Sequence, residues 1–295
     1  MLWNLLQTLT SNHFGRIQAT ALIFSTTSFR ILSKFWRLYS TSMKIASKIH
    51  FFPKVWLSHL FWKFHARKLQ AFGQLCNNIC QEIFSIKYLN NTLPTRKNLC
   101  KWSLSQSAAC SFCLQSETLQ HVISSCRCYL EEGRYTWRHN SVLLYLANTL
   151  SSLNQCTVYA DLPSFISPCL ITGDSLRPDL LLLTEDSTLY IIELTLGFET
   201  NMQANSIRKA NKCTTLIKDL SSTYSKVTFI NLSMSALGVM GSSCDSFLSL
   251  LQDLHFDKLM QKRIVMKTIN IAIRSSYYIF CQRNKPWNSP ELLNI

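Results

Sequence analysis

Residues 177–195 read RPDLLLLTEDSTLYIIELT. Two apolar runs flank a short polar stretch, Thr184–Thr188, which is the pattern of a buried β-hairpin. A carboxylate stands near the outer end of each run, Asp179 and Glu193. Folding the segment back on itself at its midpoint brings these two acids together at one end of a sheet. Two close carboxylates repel each other unless a cation or a shared proton relieves them. A hard cation such as Mg²⁺ or Mn²⁺, held by one or two carboxylates plus phosphate oxygens, is a natural relief. On the hairpin alone, strand-end surface acids are an equal reading. Glu185 and Asp186 fall in the turn and read as solvated residues.

Outward from the hairpin the pattern alternates in type. QCTVYADL and KVTFINLS read as further strands, and a helix is predicted over about 200–221 between the hairpin and the last strand. A helix is also predicted within RYTWRHNSVLLYLANTLSSL, from about residue 139. Helix, three strands, helix, strand is an α/β layout with a mixed sheet. SFLSLLQDLHFDKLM (246–260) and RIVMKTINIAIRSSYYIFCQ (263–282) read as closing helices. Upstream, LQAFGQLCNNICQEIFSIKYL spaces apolar residues by three and four, as in an amphipathic helix ending near Asn90-Asn91, and LPTRKNLCKW follows as a loop into a short helix.

Composition bounds the partners. The chain has 295 residues, 47% hydrophobic and 16% charged, with a net charge of +14, a balance that favours a polyanionic partner such as nucleic acid. Residues 1–80 hold ten of the 30 Lys/Arg and no Asp or Glu, leaving 20 basic against 16 acidic residues for the remainder. Three readings of residues 1–75 stay open: a mitochondrial leader-like segment, a basic and aromatic nucleic-acid contact, and an extension not selected as protein at all. No apolar run reaches the roughly 18 residues of a membrane span, so no membrane partner is expected. Twelve irregularly spaced cysteines fit a reducing compartment better than a disulfide framework.

Cys110-x2-Cys113-x7-His121-x4-Cys126 has the form of a small zinc knuckle. Four soft or borderline ligands close a tetrahedron, and a two-residue gap lets both thiolates of a turn face one ion. Cys128 could replace Cys126, and Cys100 is an outside candidate. A closed four-ligand site is structural rather than catalytic.

The knuckle, the RYTWRHNSVL segment after it, and RPD…IELT followed by a basic helix together resemble the carboxy-terminal part of non-LTR (LINE-type) retrotransposon polyproteins that carry a restriction-like endonuclease. The resemblance covers about residues 75–288. In that family a CCHC knuckle precedes a PD-(D/E)xK-type nuclease marked by a basic residue plus PD, 12 to 14 residues, then an acid. Arg177-Pro178-Asp179, thirteen residues, then Glu193 fits that marker.

The resemblance implies a restriction-endonuclease-like mixed sheet flanked by helices. It divides the chain into a basic acid-free segment (1–74), a helix plus zinc knuckle (75–133) and the endonuclease domain (134–288). It also implies structural Zn²⁺ on Cys110, Cys113, His121 and Cys126, and catalytic Mg²⁺ or Mn²⁺ on Asp179 and Glu193. Arg138, His139 and Asn140 match a basic segment expected to contact DNA, with Arg177 and Arg208 as further phosphate contacts. Position 195, where an ExK nuclease carries lysine, holds Thr195. The family supplies that lysine from the following helix, where MQANSIRKANKCTTL offers Lys209 first and Lys212 second; catalytic and phosphate-binding roles for them stay equally open. A tyrosine often follows the last lysine in the family, and here Cys213 stands there.

The expected activity is nicking of target DNA for target-primed reverse transcription, in the nucleus, with element RNA as a further partner. A non-catalytic nucleic-acid-binding module and a decayed retroelement fragment are the alternatives. With no acid in residues 1–75, no polymerase palm can be placed there, so the chain resembles a truncated copy.

Overall fold

A computed structural model describes residues 80–293, apart from 154, 174–175 and 242–243. The basic segment 1–74 and residues 75–79 lie outside the described residues. The described residues belong to one compact unit that contains the cysteine cluster and the sheet alike.

The unit is α/β. Helix α1 covers 80–89, α2 Arg96–Lys101, α3 Arg127–Glu131 and α4 Arg134–Ser151. The sheet strands are β1 (Cys156–Ala160), β2 (Leu180–Thr184), β3 (Thr188–Gly197) and β4 (Lys226–Ser235). A short helix α5 (Cys169–Thr172) precedes β2, and α6 (Met202–Leu220) joins β3 to β4. Two helices close the chain, α7 (Asp245–Asp253) and α8 (Lys258–Cys281). Strand order is β1-β2-β3-β4, antiparallel except for the parallel β3–β4 pair. The helical crossover α6 makes that parallel pair possible.

The hairpin of 177–195 forms as its pattern predicts, and its register decides what lies above each face. Leu180 pairs with Ile192, Leu181 with Ile191 and Leu182 with Tyr190. Leu180, Leu182, Tyr190 and Ile192 pack with α4, α7 and α8 on one face, through Val142, Leu146, Phe247, Leu251 and Ile271. Leu181, Leu189 and Ile191 pack on the other face against Leu216 and Leu220 of α6. Burial on both faces explains why these strands read as continuous apolar runs rather than as an alternation. The same register places Asp179 opposite Glu193 on the α6 face.

Two helix boundaries differ from expectation. Helix α4 begins at Arg134, not near 139, because Gly133 takes a left-handed turn at φ +76° directly before it. Its first turns hide their amphipathic pattern because the buried positions are filled by Arg134 and Arg138. The helix expected over 246–260 stops at Asp253. His255 is left-handed at φ +60°, and the Asp257 carboxylate caps α8 by accepting from Met260 N at 2.8 Å, so the break falls at 254–257 rather than at 261–262.

A second cluster joins the cysteine segment to the sheet unit. Leu119, Val122, Ile123, Cys126 and Tyr129 pack with Phe84 and Tyr88 of α1, Ala236 and Leu237 after β4, and Phe280 of α8. Among the described residues no helix is long and apolar enough to cross a membrane.

Candidate functional site

The carboxylate site is assembled by three elements. Asp179 precedes β2, Glu193 lies in β3, and Lys209 comes from α6, which the parallel crossover lays over that face of the sheet. The Lys209 ammonium bridges the acids, with Nζ 2.5 Å from Asp179 Oδ2 and 2.6 Å from Glu193 Oε2. It also donates to the Leu194 carbonyl at 2.6 Å. Asp179 Oδ2 accepts in addition from Leu194 N at 2.7 Å. Glu193 is 2% exposed, while the Asp179 and Lys209 side chains keep 17% and 19%, so a small opening to solvent remains on their side.

Burial and charge act against each other here. Burial alone would raise Asp179, but the hydrogen bonds and charges of His139 and Lys209 outweigh it and hold the carboxyl well below its usual range. Glu193 moves the other way. Burial first, and then repulsion from Asp179, push its carboxyl up despite Lys209. Burial would lower the Lys209 ammonium, yet the two carboxylates raise it above the ordinary lysine value. The group is therefore one cation holding two acids of unequal strength.

Of the two lysine candidates, the structure brings Lys209 to the acids and leaves Lys212 exposed one turn later, with Arg208 likewise exposed. Thr195 is 6% exposed, and its hydroxyl has no hydrogen-bond partner. Cys213 is buried, and its thiol donates to Glu193 Oε1 at 3.7 Å. Burial and the Glu193 charge push that thiol up to about 11.

The basic segment of α4 needs correction. Arg138 is 1% exposed, its guanidinium facing Ser276 Oγ at 3.3 Å and the Tyr135 ring at 5.7 Å. A phosphate cannot reach it, so the expected DNA contact by Arg138 does not hold. His139 lies at the carboxylate site, its Nε2 3.3 Å from Asp179 Oδ2 and 3.2 Å from the Leu194 carbonyl. Asn140 Oδ1 lies 3.1 Å from His139 Nδ1, which makes Asn140 a support for that ring. Arg177 is exposed and paired with Asp161 at 3.0 Å. The sequence places His139 among the expected DNA contacts, with no sign of its position at the carboxylate site, and does not by itself single out the Leu194 carbonyl. The β3 register carries the signal for Leu194, because the residue after Glu193 must present its backbone at the same strand end.

The second cluster is the knuckle. Ala109 and Ser116 form an isolated bridge around a tight turn in which Leu114 is left-handed at φ +61°, so Cys110 and Cys113 face one side. His121 opens a π-helical turn, His121–Ser125, and Cys126 follows in extended conformation. One ligand atom from each of Cys110, Cys113, His121 and Cys126 lies within 4.8 Å of all the others. Cys113 Sγ is 3.8 Å from Cys126 Sγ and 3.3 Å from His121 Nε2. A tetrahedron with Zn–S bonds of about 2.3 Å has S···S edges of about 3.8 Å, so the donor set and its spacing fit a zinc-sized ion. Cys126, not Cys128 or Cys100, completes the group. Burial pushes the Cys126 thiol up to about 12 and lowers His121, favouring the neutral imidazole that binds metals. The Tyr135 hydroxyl of α4 accepts from Cys126 N at 3.1 Å and ties the knuckle to the helix that carries His139.

No protein-family model matches the chain, and no curated protein matches it.

Two outcomes follow from this geometry. Full-chain protein prepared without chelators should carry zinc one to one by metal analysis. Cys110→Ser and His121→Ala should lose it, while Cys128→Ser and Cys100→Ser should keep it. The second concerns stability. Lys209→Met leaves two buried carboxylates without their cation and should cost about 3–5 kcal/mol at pH 7, read from urea unfolding in chelator. Asp179, held low, stabilises the fold above its unfolded pKa and stops doing so as pH falls through its folded value. Lys209, held high, stabilises below its unfolded pKa and stops as pH rises through its folded value. Glu193, held high, repels least once protonated, so the deficit of Lys209→Met should shrink as pH falls from 7 through the raised Glu193 value. A deficit independent of pH would contradict the repulsion.

Proposed function

We propose that the chain is a metal-dependent DNA endonuclease of restriction-like type, the nuclease part of a non-LTR retrotransposon polyprotein, nicking target DNA for target-primed reverse transcription. The single observation that carries this reading is the Lys209 ammonium held by Asp179, Glu193 and the Leu194 carbonyl. Three oxygens that close on an ammonium at 2.5–2.6 Å form a cage that also suits a hard divalent cation. The lysine, absent at position 195, comes in this reading from α6 as Lys209, whose ammonium lies between the two acids.

When bound, Mg²⁺ or Mn²⁺ would activate water and offset charge on the phosphodiester. Asp179, Glu193 and the Leu194 carbonyl would hold the ion. Lys209, freed from the carboxylates, would donate from Nζ to a phosphate oxygen and stabilise the charge that builds there. Arg208 and Lys212, exposed on α6, would neutralise phosphates on either side, with Arg177 near the start of β2 doing the same. In this reading the knuckle zinc is structural: it holds the 110–126 segment against α4, element RNA is a further ligand of the basic surface, and the nucleus is the place of action.

One observation favours the second reading, a non-catalytic nucleic-acid-binding module. The Lys209 ammonium already neutralises the acid pair, so folding needs no metal at that site. The two readings part on cleavage. With Mg²⁺ or Mn²⁺, purified protein should convert supercoiled plasmid to open circles, and Asp179→Ala should slow nicking by at least about 100-fold. Lys212→Ala should keep most of the rate and weaken binding with a shallower salt slope. Equal nicking by wild type and Asp179→Ala would sink the assignment. Salt-sensitive binding without any nicking would leave the binding module.

A further inference from the structure

We infer that His139 is a nitrogen ligand of the metal ion at the carboxylate site, which makes the site selective for Mn²⁺ over Mg²⁺. The inference rests on the metal-centre reading above and adds to it a ligand and an ion preference.

The geometry comes first. His139 Nε2 faces two oxygens, Asp179 Oδ2 at 3.3 Å and the Leu194 carbonyl at 3.2 Å. Both oxygens also touch the Lys209 ammonium, at 2.5 and 2.6 Å. The imidazole therefore borders the cage that the ammonium fills, on the side that Glu193 does not close. On the far side of the ring, Nδ1 meets Asn140 Oδ1 at 3.1 Å. Metal-binding histidines characteristically donate their other ring N–H to such an oxygen, which fixes the tautomer and aims the free lone pair at the ion. Without an ion, Nε2–H points at these two oxygens; a divalent cation among the three atoms would take the place of that proton and be held by all three.

Size and softness then choose among cations. Adjacent ligands of an octahedral ion are separated by about 1.4 bond lengths, so Mg²⁺ with bonds of 2.0–2.1 Å needs edges of about 2.9 Å. The edges at His139 are 3.2 and 3.3 Å, which correspond to bonds of about 2.3 Å, longer than Mg²⁺ takes and at the short end of the Ca²⁺ range. Mg²⁺ and Ca²⁺ are oxygen-seeking, whereas imidazole suits first-row transition ions. Mn²⁺ is a first-row divalent ion that takes carboxylate and carbonyl oxygens readily and tolerates one imidazole among them. His139 lies in the first third of α4 and its side chain remains 23% exposed, whereas Arg138 and Ser141 on the same stretch are buried.

The test uses zinc-loaded full-chain protein and Mn²⁺ alone as the probe. Free Mn²⁺ is followed by its electron paramagnetic resonance signal, and the bound ion is examined by electron spin-echo modulation for coupling to nitrogen-14. The expected result is one Asp179-dependent Mn²⁺ site with clear nitrogen coupling, displaced only by a large excess of Mg²⁺. His139→Gln should remove the coupling and weaken Mn²⁺ binding at least about tenfold, with Mg²⁺ binding little changed. The wild-type coupling needs no variant, so it stands even if His139→Gln folds poorly. Asp179-dependent Mn²⁺ binding without nitrogen coupling would overturn the inference and leave the metal centre intact, with His139 a hydrogen-bond donor only. Binding absent in wild type, or unchanged in Asp179→Asn, would overturn both.

Discussion

The site depends on one buried cation. Asp179 and Glu193 face each other because the hairpin register allows no other arrangement, and at that separation two ionised carboxylates would push β2 and β3 apart. The Lys209 ammonium prevents this, and it can do so only because α6 crosses from β3 to the parallel strand β4 on that face. Asn231 of β4, paired in register with Glu193, donates to Ser206 O and Oγ at 2.9 and 2.7 Å and pins the first half of α6 over the same end of the sheet. Burial of a charged pair is not in itself a large stabilising term, since desolvation offsets most of the attraction. What it supplies is position: three oxygens held around one ammonium.

Helix α4 extends that position to the knuckle. Tyr135 and His139 are four residues apart on one helix, so they project along one side of it. Tyr135 holds the backbone of Cys126 and His121, and His139 reaches Asp179. Between them, Arg134 and Arg138 bury their guanidiniums among aromatic rings. Arg134 lies 3.9 Å from the Tyr129 ring centre and donates to the carbonyls of Gln282 and Lys285 at 2.8 Å. The basic residues expected to face DNA from this helix instead join its first turns to α8 and the chain beyond it.

Much of this was legible in the sequence, for definite reasons. Two apolar runs with a turn midway fix the hairpin, and counting across the turn puts Asp179 opposite Glu193 without any structure. The spacing of Cys110, Cys113, His121 and Cys126 limits the cluster to ligands that one short segment can bring together. Lys209 could be named because the helix after β3 was evident, although its period alone did not separate it from Lys212. Arg138 and His139 were illegible for a shared reason. Their partners, Ser276, Asp179 and Leu194, are distant in the chain, and an arginine on a helix looks solvated until the interior that receives it is known. The late start expected for α4 compounded the error, since it placed these residues at a helix end rather than on its buried face.

The central claim is that the oxygens now holding an ammonium are built to exchange it for a divalent ion. The most direct measurement is an experimental structure of the protein grown with Mn²⁺, with anomalous scattering recorded to locate the ion. The account predicts an anomalous peak bounded by Asp179, Glu193 and the Leu194 carbonyl, with the Lys209 ammonium moved away from both carboxylates. A map with no peak there, and with Lys209 still bridging the two acids, would contradict it.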